Sequence, residues 1–292
     1  MELPAPQLAT LLAIAEHGTF EAAARAQRLT PSAVSQRVRA LEAAVGQVLV
    51  QRTSPCRPTA AGEVLLRLAR QHQLLAAEAD RELGSAGTAT EVTLAVNADS
   101  LATWFRDVLA QVAGWEGVAL RLHVEDQAFS ADLLRRGDAL AAITSDPTPV
   151  QGCRVTVLGS MRYRPAATPA VADRWRRGRR WDWGRMPVVV LNEKDDLQHS
   201  FLARRGVGDP ALWHRVPTSG DFAEAVRLGL GWGLLPEAQL APWLDDGSVV
   251  LLGREVVDIP LHWMRWRIDS LLLDRLGDAV SAAAAATLRK PR

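Results

Sequence analysis

The sequence predicts an α/β protein that carries an all-α, winged helix-turn-helix domain at its N-terminal end. Three observations lead to this class. Residues 30 to 41, TPSAVSQRVRAL, have the spacing of a helix with one apolar face. Two further apolar-periodic stretches stand just before them, joined by tight turns. From Glu91 onward, short β-branched runs alternate with helical ones, the pattern of parallel βαβ units.

In chain order, Pro6 to His17 (PQLATLLAIAEH) places Leu8, Leu11, Leu12 and Ala15 on one stripe, and Gly18 ends it. Thr19 caps a short second helix, FEAAARAQ, whose Ala22, Ala23 and Ala24 allow another helix to come close, and Arg28-Leu29 forms the turn. Thr30 caps the third helix and Pro31 suits its first position, where the missing N–H costs nothing. Val34, Val38 and Leu41 face inward, whereas Ser32, Ser35, Gln36 and Arg39 fall on the other side. Those are groove-reading residues: Arg bonds a guanine edge, Gln an adenine, and Ser a base or a phosphate. Thr30 and Arg37 complete the candidate set on this helix. An ordinary amphipathic helix with a polar outer face has the same pattern.

Gly46 closes that helix, and Gln47 to Thr59 (QVLVQRTSPCRPT) reads as a two-stranded wing. Arg52 and Arg57 on the wing are placed to meet phosphates or the adjacent minor groove, or else to be solvated. Thr59 then caps a long helix from Ala60 to about Leu83, roughly 24 residues and ~36 Å. Leu65, Leu68, His72, Leu75 and Ala79 follow the three-then-four spacing of a helix–helix seam, which makes this the dimerisation helix. Gly84 to Thr88 reads as a short linker.

Beyond the linker, VTLAV is a strand, Ser100 starts a helix, and LRLHVE is a second strand. DLLRRG ends a helix at Gly137, ALAAIT is a third strand, and a strand at Val155 to Leu158 leads into Arg162-Tyr163. A second set follows with MPVVVLN and GLGWGLLP, and IPLHWMRW near Ile259 is a strand able to return to the first half.

The run Phe20 to Gly46, with Val48-Leu49-Val50-Gln51-Arg52 and Pro58-Thr59-Ala60-Ala61-Gly62, resembles the LysR-type transcriptional regulators. Family members commonly carry Gln at the place of Pro31 and Phe at the place of Val50. VNADSLATWF (Val96 to Phe105), VED (Val124 to Asp126) and NEKDD (Asn192 to Asp196) look like the ArgP/LysG-like branch, which controls export of lysine and arginine. The resemblance implies a DNA-binding domain over 1–59, a linker helix over 60–84, and a two-lobed, periplasmic-binding-protein-like effector domain over 91–292. Lobe I would span about 91–160 and 262–292, lobe II about 161–261, with two crossover strands between. It also implies a homodimer or homotetramer on double-stranded DNA, contact with RNA polymerase, and L-lysine or L-arginine as effector, with no cofactor.

Ligands of open parallel sheets bind beyond the strands' carboxyl ends, often at a helix N-terminus. Asn97, Asp99 and Ser100 lie at one such end, although Ser100 equally fits a plain helix cap. Asp126, Thr144, Asp195 and Asp196 follow later strands, near Glu125 and Glu193. Ser219 and Asp221, with Thr218, start a helix able to complete the cleft from the second lobe. Taken singly, each Asp reads as a cap or loop residue before it reads as a ligand contact. Together they favour a cationic ligand such as a basic amino acid.

Other signals exclude more than they suggest. Gly229, Gly231 and Gly233 follow a helix and precede a strand, the reverse of a nucleotide-binding order. Ala172 to Arg185 (ADRWRRGRRWDWGR) has the composition of a single-strand nucleic-acid surface or of an exposed helix and loop. The six His show no metal or nucleophile spacing, so no enzyme is expected, and Cys56 and Cys153 are too far apart to suggest a metal site. No apolar run reaches the ~18 residues needed to span a bilayer, and MELPAPQ lacks a basic secretory start, which points to the cytoplasm. The net charge is +1, and residues 1 to 59 hold six Arg against four Glu. So modest an excess implies weak non-specific DNA affinity and a need for several DNA-binding units side by side.

Overall fold

The computed structural model describes residues 2–84, 89–124, 130–193 and 195–290. The N-terminal elements begin and end where the caps dictate. α1 (Ala5–His17) stops at Gly18, whose φ of 74° suits glycine. α2 (Phe20–Gln27) starts on Thr19, whose hydroxyl accepts from Ala22 N–H at 3.1 Å. α3 (Pro31–Val45) starts on Thr30 and ends at Gly46 in the left-handed region. β1 (Val50–Gln51) and β2 (Arg57–Pro58) pair antiparallel as the wing. α4 (Ala60–Glu82) starts on Thr59, which accepts from Gly62 N–H at 3.1 Å. A Cβ at Gly62 would lie 2.1 Å from the Leu49 carbonyl oxygen, so glycine alone lets α4 approach the wing this closely.

Leu11, Ile14, Val34, Val38, Leu41, Leu49, Leu65 and Leu66 form the core of this unit. Leu65 therefore corrects the expected seam: it is 5% exposed inside the N-terminal core. Val64, at 51%, takes its place on the open side with Leu68 and Leu75 at 39% and 40% and exposed His72 between them.

The remaining elements form two α/β lobes. The first holds β3 (Thr90–Val96), α5 (Ala98–Ala102), α6 (Phe105–Val112), β4 (Val118–Val124), α7 (Ser130–Arg135) and β5 (Ala141–Thr144). β6 (Cys153–Ala167) leads to the second lobe. That lobe holds α8 (Pro169–Arg174), β7 (Arg176–Arg177), β8 (Arg180–Trp181), β9 (Val188–Val190), α9 (Leu197–Ala203), β10 (Trp213–Arg215), α10 (Ser219–Arg227), β11 (Gly233–Pro236), α11 (Glu237–Asp245) and β12 (Val250–Leu251). β13 (Val257–Trp266) returns, and α12 (Leu271–Thr287) packs on the first lobe against α6.

The main sheet runs β11-β6-β13-β5-β3-β4, with β12 also beside β6. β3 is parallel to both β4 and β5, as the alternating pattern predicts. β6 and β13 are antiparallel to each other and serve both lobes: His262 to Arg265 pair with β5, whereas Tyr163 to Ala166 pair with β11. The sequence pattern at Val155 to Leu158 is one part of this single 15-residue strand.

α4 is fastened along the first lobe. Arg67 donates to the Arg135 carbonyl, and Arg70 donates to the Gly137 carbonyl and pairs with Asp138 at 3.5 Å. Glu78 accepts from the Ser270 hydroxyl at 2.7 Å and from Leu272 N–H at 2.9 Å. Arg81 reaches Thr90 at 2.7 Å and the Gly117 carbonyl at 3.0 Å.

The arginine-rich run is α8 followed by the β7–β8 hairpin. Its Trp175, Trp181 and Trp183 pack on the core while Arg176, Arg177, Arg179 and Arg180 are exposed, so the rings are not stacking platforms. Gly229 and Gly231 form the α10-to-β11 turn and Gly233 opens β11, and a Cβ at Gly231 would lie 2.4 Å from the Pro187 carbonyl. Among the described residues no helix is long and apolar enough to cross a membrane, and no cluster of side chains fits a metal ion.

Candidate functional site

Two surfaces carry chemistry. The first is the outer side of α3 with the wing. Ser32, Gln36 and Arg39 are exposed there and Ser35 is half-buried, while Val34, Val38 and Leu41 hold the helix from beneath. Thr30 is used as the cap, its hydroxyl accepting from Ala33 N–H at 3.2 Å. Arg37 turns back toward α1 and donates to Thr10 at 3.4 Å. Arg52 lies over the Phe20 ring at 5.0 Å, and Arg57 is exposed on β2. Among the described residues no ion pair engages Arg39, Arg52 or Arg57, which leaves three guanidinium groups open to an anion.

The second is a cavity of about 470 Å³ between the lobes. Asn97, Ala98, Asp99 and Val124 form one wall, Tyr163 on β6 forms the floor between lobes, and Leu191 to Gln198, Pro217, Phe222 and Leu234 form the other side. Its described lining carries three carboxylates, Asp99, Glu193 and Asp195, and no Arg or Lys. Asn97, Asn192 and Gln198 add amides. Three carboxylates with no cationic side chain beside them in the described lining give this wall a negative charge that suits a ligand with a cationic group.

The carboxylates are held differently. Asp195 shapes its own loop: Oδ2 accepts from Leu191 N–H at 3.0 Å and Oδ1 from Leu197 N–H at 3.2 Å, with the Gln198 amide nitrogen turned onto both oxygens. Asp99 joins the lobes. Its Oδ2 accepts from the Tyr163 hydroxyl at 2.7 Å and its Oδ1 from the Ser219 hydroxyl, at the start of α10, at 2.6 Å. Glu193 is exposed at the cavity edge.

Of the residues expected here, Asn97, Asp99 and Asp195 line the cavity, and Ser219 reaches it through Asp99. Four others stand off the lining. Ser100 does not start a helix; it sits inside α5, fully buried, where its hydroxyl accepts from the Trp104 indole at 3.1 Å. Thr144 is fully buried and accepts from Asp146 N–H at 3.1 Å. Asp196 is exposed ahead of α9. Asp221 is exposed and closes the α10 cap reciprocally with Thr218, which takes its helix N–H at 3.2 Å. Asp126 lies outside the described residues. Sequence reasoning missed Tyr163, Asn192 and Gln198. Tyr163 is the only tyrosine in the chain, and an isolated polar aromatic on a crossover strand is the signal that was there to find.

Comparison with known proteins gives consistent results. Residues 6–63 match the model of bacterial regulatory helix-turn-helix proteins of the lysR family, and residues 85–282 match the LysR substrate binding domain. The chain is 51% identical over 286 residues to the lysine export transcriptional regulatory protein LysG of Corynebacterium efficiens, covering 97% of this chain and 98% of that protein. It is 39% identical over 283 residues to the HTH-type transcriptional regulator ArgP of Pseudomonas aeruginosa, covering 95% and 94%. Among solved structures it is similar to full-length LysG from Corynebacterium glutamicum with bound effector Arg, at 47% identity and TM-score 0.82 over 98% of this chain and 100% of that one. It is also similar to ArgP from Mycobacterium tuberculosis, at 44% identity and TM-score 0.88 over 99% and 100%.

Proposed function

Since this chain belongs to the lysR family of bacterial transcriptional regulators, we propose that it is a cytoplasmic DNA-binding switch that responds to lysine or arginine and controls a gene for amino-acid export. The observation that carries this reading is the interlobe cavity, which presents three carboxylates and no cationic side chain in its described lining. The size, about 470 Å³, is in the range of small-molecule sites. A basic amino acid offers a cationic side chain and an ammonium for the carboxylates and a carboxylate for the amides of Asn97 and Asn192. The resemblance to an arginine-bound LysG supports the same class of ligand.

The exposed stripe of Val64, Leu68, His72 and Leu75 supports a homodimer formed along α4. Two reading units would then occupy successive major grooves about one helical turn apart, and pairs of dimers would make a tetramer. The modest charge of each unit fits this arrangement, because neutralising more phosphates together raises affinity. Asp99 touches both the cavity and the second lobe, so ligand and lobe arrangement are coupled at one carboxylate. The ligand biases that arrangement only by its difference in affinity for the two forms. RNA polymerase is the partner to which the change would be passed.

The test is a footprint on DNA upstream of the protein's own gene and its neighbours, at fixed salt, with and without lysine, arginine and histidine. A protected region that shifts or shortens with lysine or arginine is the expected result. Protection indifferent to all three overturns the effector assignment, and absence of protection overturns the DNA-binding one.

A further inference from the structure

Behind the cavity wall, a line of hydrogen bonds with a defined direction crosses between the lobes. Gln239, on α11, does not line the cavity, yet its amide nitrogen donates to the Ser219 oxygen at 3.2 Å. A hydroxyl has one proton. With its oxygen already accepting from Gln239, the Ser219 hydroxyl turns that proton onto Asp99 Oδ1 at 2.6 Å. The Tyr163 hydroxyl holds the other oxygen of the same carboxylate at 2.7 Å. Ser219 and Tyr163 are 4% and 1% exposed, so water does not readily replace either donor. The orientation leaves Gln239 Oε1 buried without a partner among the described residues. Reversing the amide would draw the Ser219 proton away from Asp99.

We propose that Gln239 is a positioning residue for effector recognition: through Ser219 it fixes the plane of the Asp99 carboxylate on the cavity wall, and so sets how strongly the cationic side chain of the effector, rather than its α-ammonium, is held. The proposal rests on the reading of the cavity as a basic amino-acid site. Gln239→Glu tests it with a side chain of the same size that, ionised, accepts but does not donate. Gln239→Leu removes both functions.

Full-length wild type, Gln239→Glu, Gln239→Leu, Ser219→Ala and the Ser219→Ala/Gln239→Leu double variant are titrated calorimetrically with L-arginine and with L-citrulline, its uncharged isostere. Unliganded Tm is recorded beside each. Both Gln239 variants should lose arginine affinity by about tenfold, as expected for a hydrogen bond to a charged group, with citrulline binding little changed. The double variant should be no weaker than Ser219→Ala alone, since Gln239 acts through that hydroxyl. Wild-type arginine affinity in both Gln239 variants overturns the proposal. So do losses that add in the double variant, and so does a lowered Tm with an unchanged ratio of arginine to citrulline affinity, the mark of a merely structural role. If the wild type binds neither arginine nor lysine, the reading of the cavity itself fails, which is a separate result.

Discussion

Replacing Leu68 and Leu75 by Glu should separate the two copies of the proposed α4 dimer without unfolding either. In the single chain these leucines are 39% and 40% exposed on α4, so glutamate there meets water and a helix it suits. Fully burying a leucine side chain is worth about 1.5 to 3 kcal/mol, so covering the open two-fifths of each gains ~0.6 to 1.2 kcal/mol. In a two-fold dimer both positions count twice, and the double substitution removes about 2 to 5 kcal/mol from association. The dimer dissociation constant should rise roughly 30- to 5000-fold, before any repulsion between facing glutamates. Sedimentation equilibrium over a concentration series reads this directly, with thermal unfolding as the control for folding. A dissociation constant equal to that of the wild type would show that α4 is not the seam. Leu65→Ala gives the contrast: at 5% exposure it belongs to the N-terminal core, and it should cost about 2 to 5 kcal/mol of that unit's stability.

Three further outcomes follow from named contacts. Arg39→Ala should weaken operator binding by ~1 to 3 kcal/mol and narrow the gap between operator and random DNA, as read by competition at fixed salt; an unchanged ratio removes Arg39 from base reading. Gly62→Ala forces a methyl to within 2.1 Å of the Leu49 carbonyl, and should cost about 1 to 3 kcal/mol in denaturant unfolding as the wing and α4 are pushed apart. Burial pushes the Cys153 thiol up to about 12, despite the opposing influence of Arg267 and Arg67. Native protein at pH 8 should therefore leave Cys153 unalkylated while half-buried Cys56 reacts, and denatured protein should label both. The folded state holds that proton more tightly than the unfolded one. Its contribution to stability is thus full below the ordinary thiol value and fades as pH rises from there toward about 12.

The N-terminal unit was legible because its signals are local. Thr19, Thr30 and Thr59 each cap the helix expected of them, and Gly18 and Gly46 end theirs, since a cap bonds atoms only three or four residues away. β6 was harder. Its inward residues Met161, Tyr163 and Pro165 alternate with Ser160, Arg162 and Arg164, but Gly159 and Pro165 read as breaks in a strand. That β6 serves both lobes came from family resemblance, because no period in the sequence records which strands are neighbours. The cavity was legible only in part for a related reason. Asp99, Asp195, Asp196 and Asp221 look alike in sequence, and which of them faces a ligand is decided by contacts made after folding. Asp221 is taken by its own helix cap, whereas Asp99 is met by a serine 120 positions away.

The fastening of α4 determines where movement in this molecule is felt. Arg67 and Arg70 grip the first lobe near the middle of the helix, and Glu78 and Arg81 near its C-terminal end. A Cβ on Gly137 would come within 2.8 Å of the Arg67 Cα, so the two surfaces touch without room for a methyl group. These contacts make the helix a splint rather than a tether, and a DNA-reading unit that turned with the lobe would follow its far end. A turn of roughly 5° carried along a 23-residue splint displaces its far end by about 3 Å at ~1.5 Å per residue. That is close to the ~3.4 Å rise between base pairs. A rotation too slight to change the outline of the cavity is large enough, at the duplex, to set a side chain opposite the neighbouring base pair.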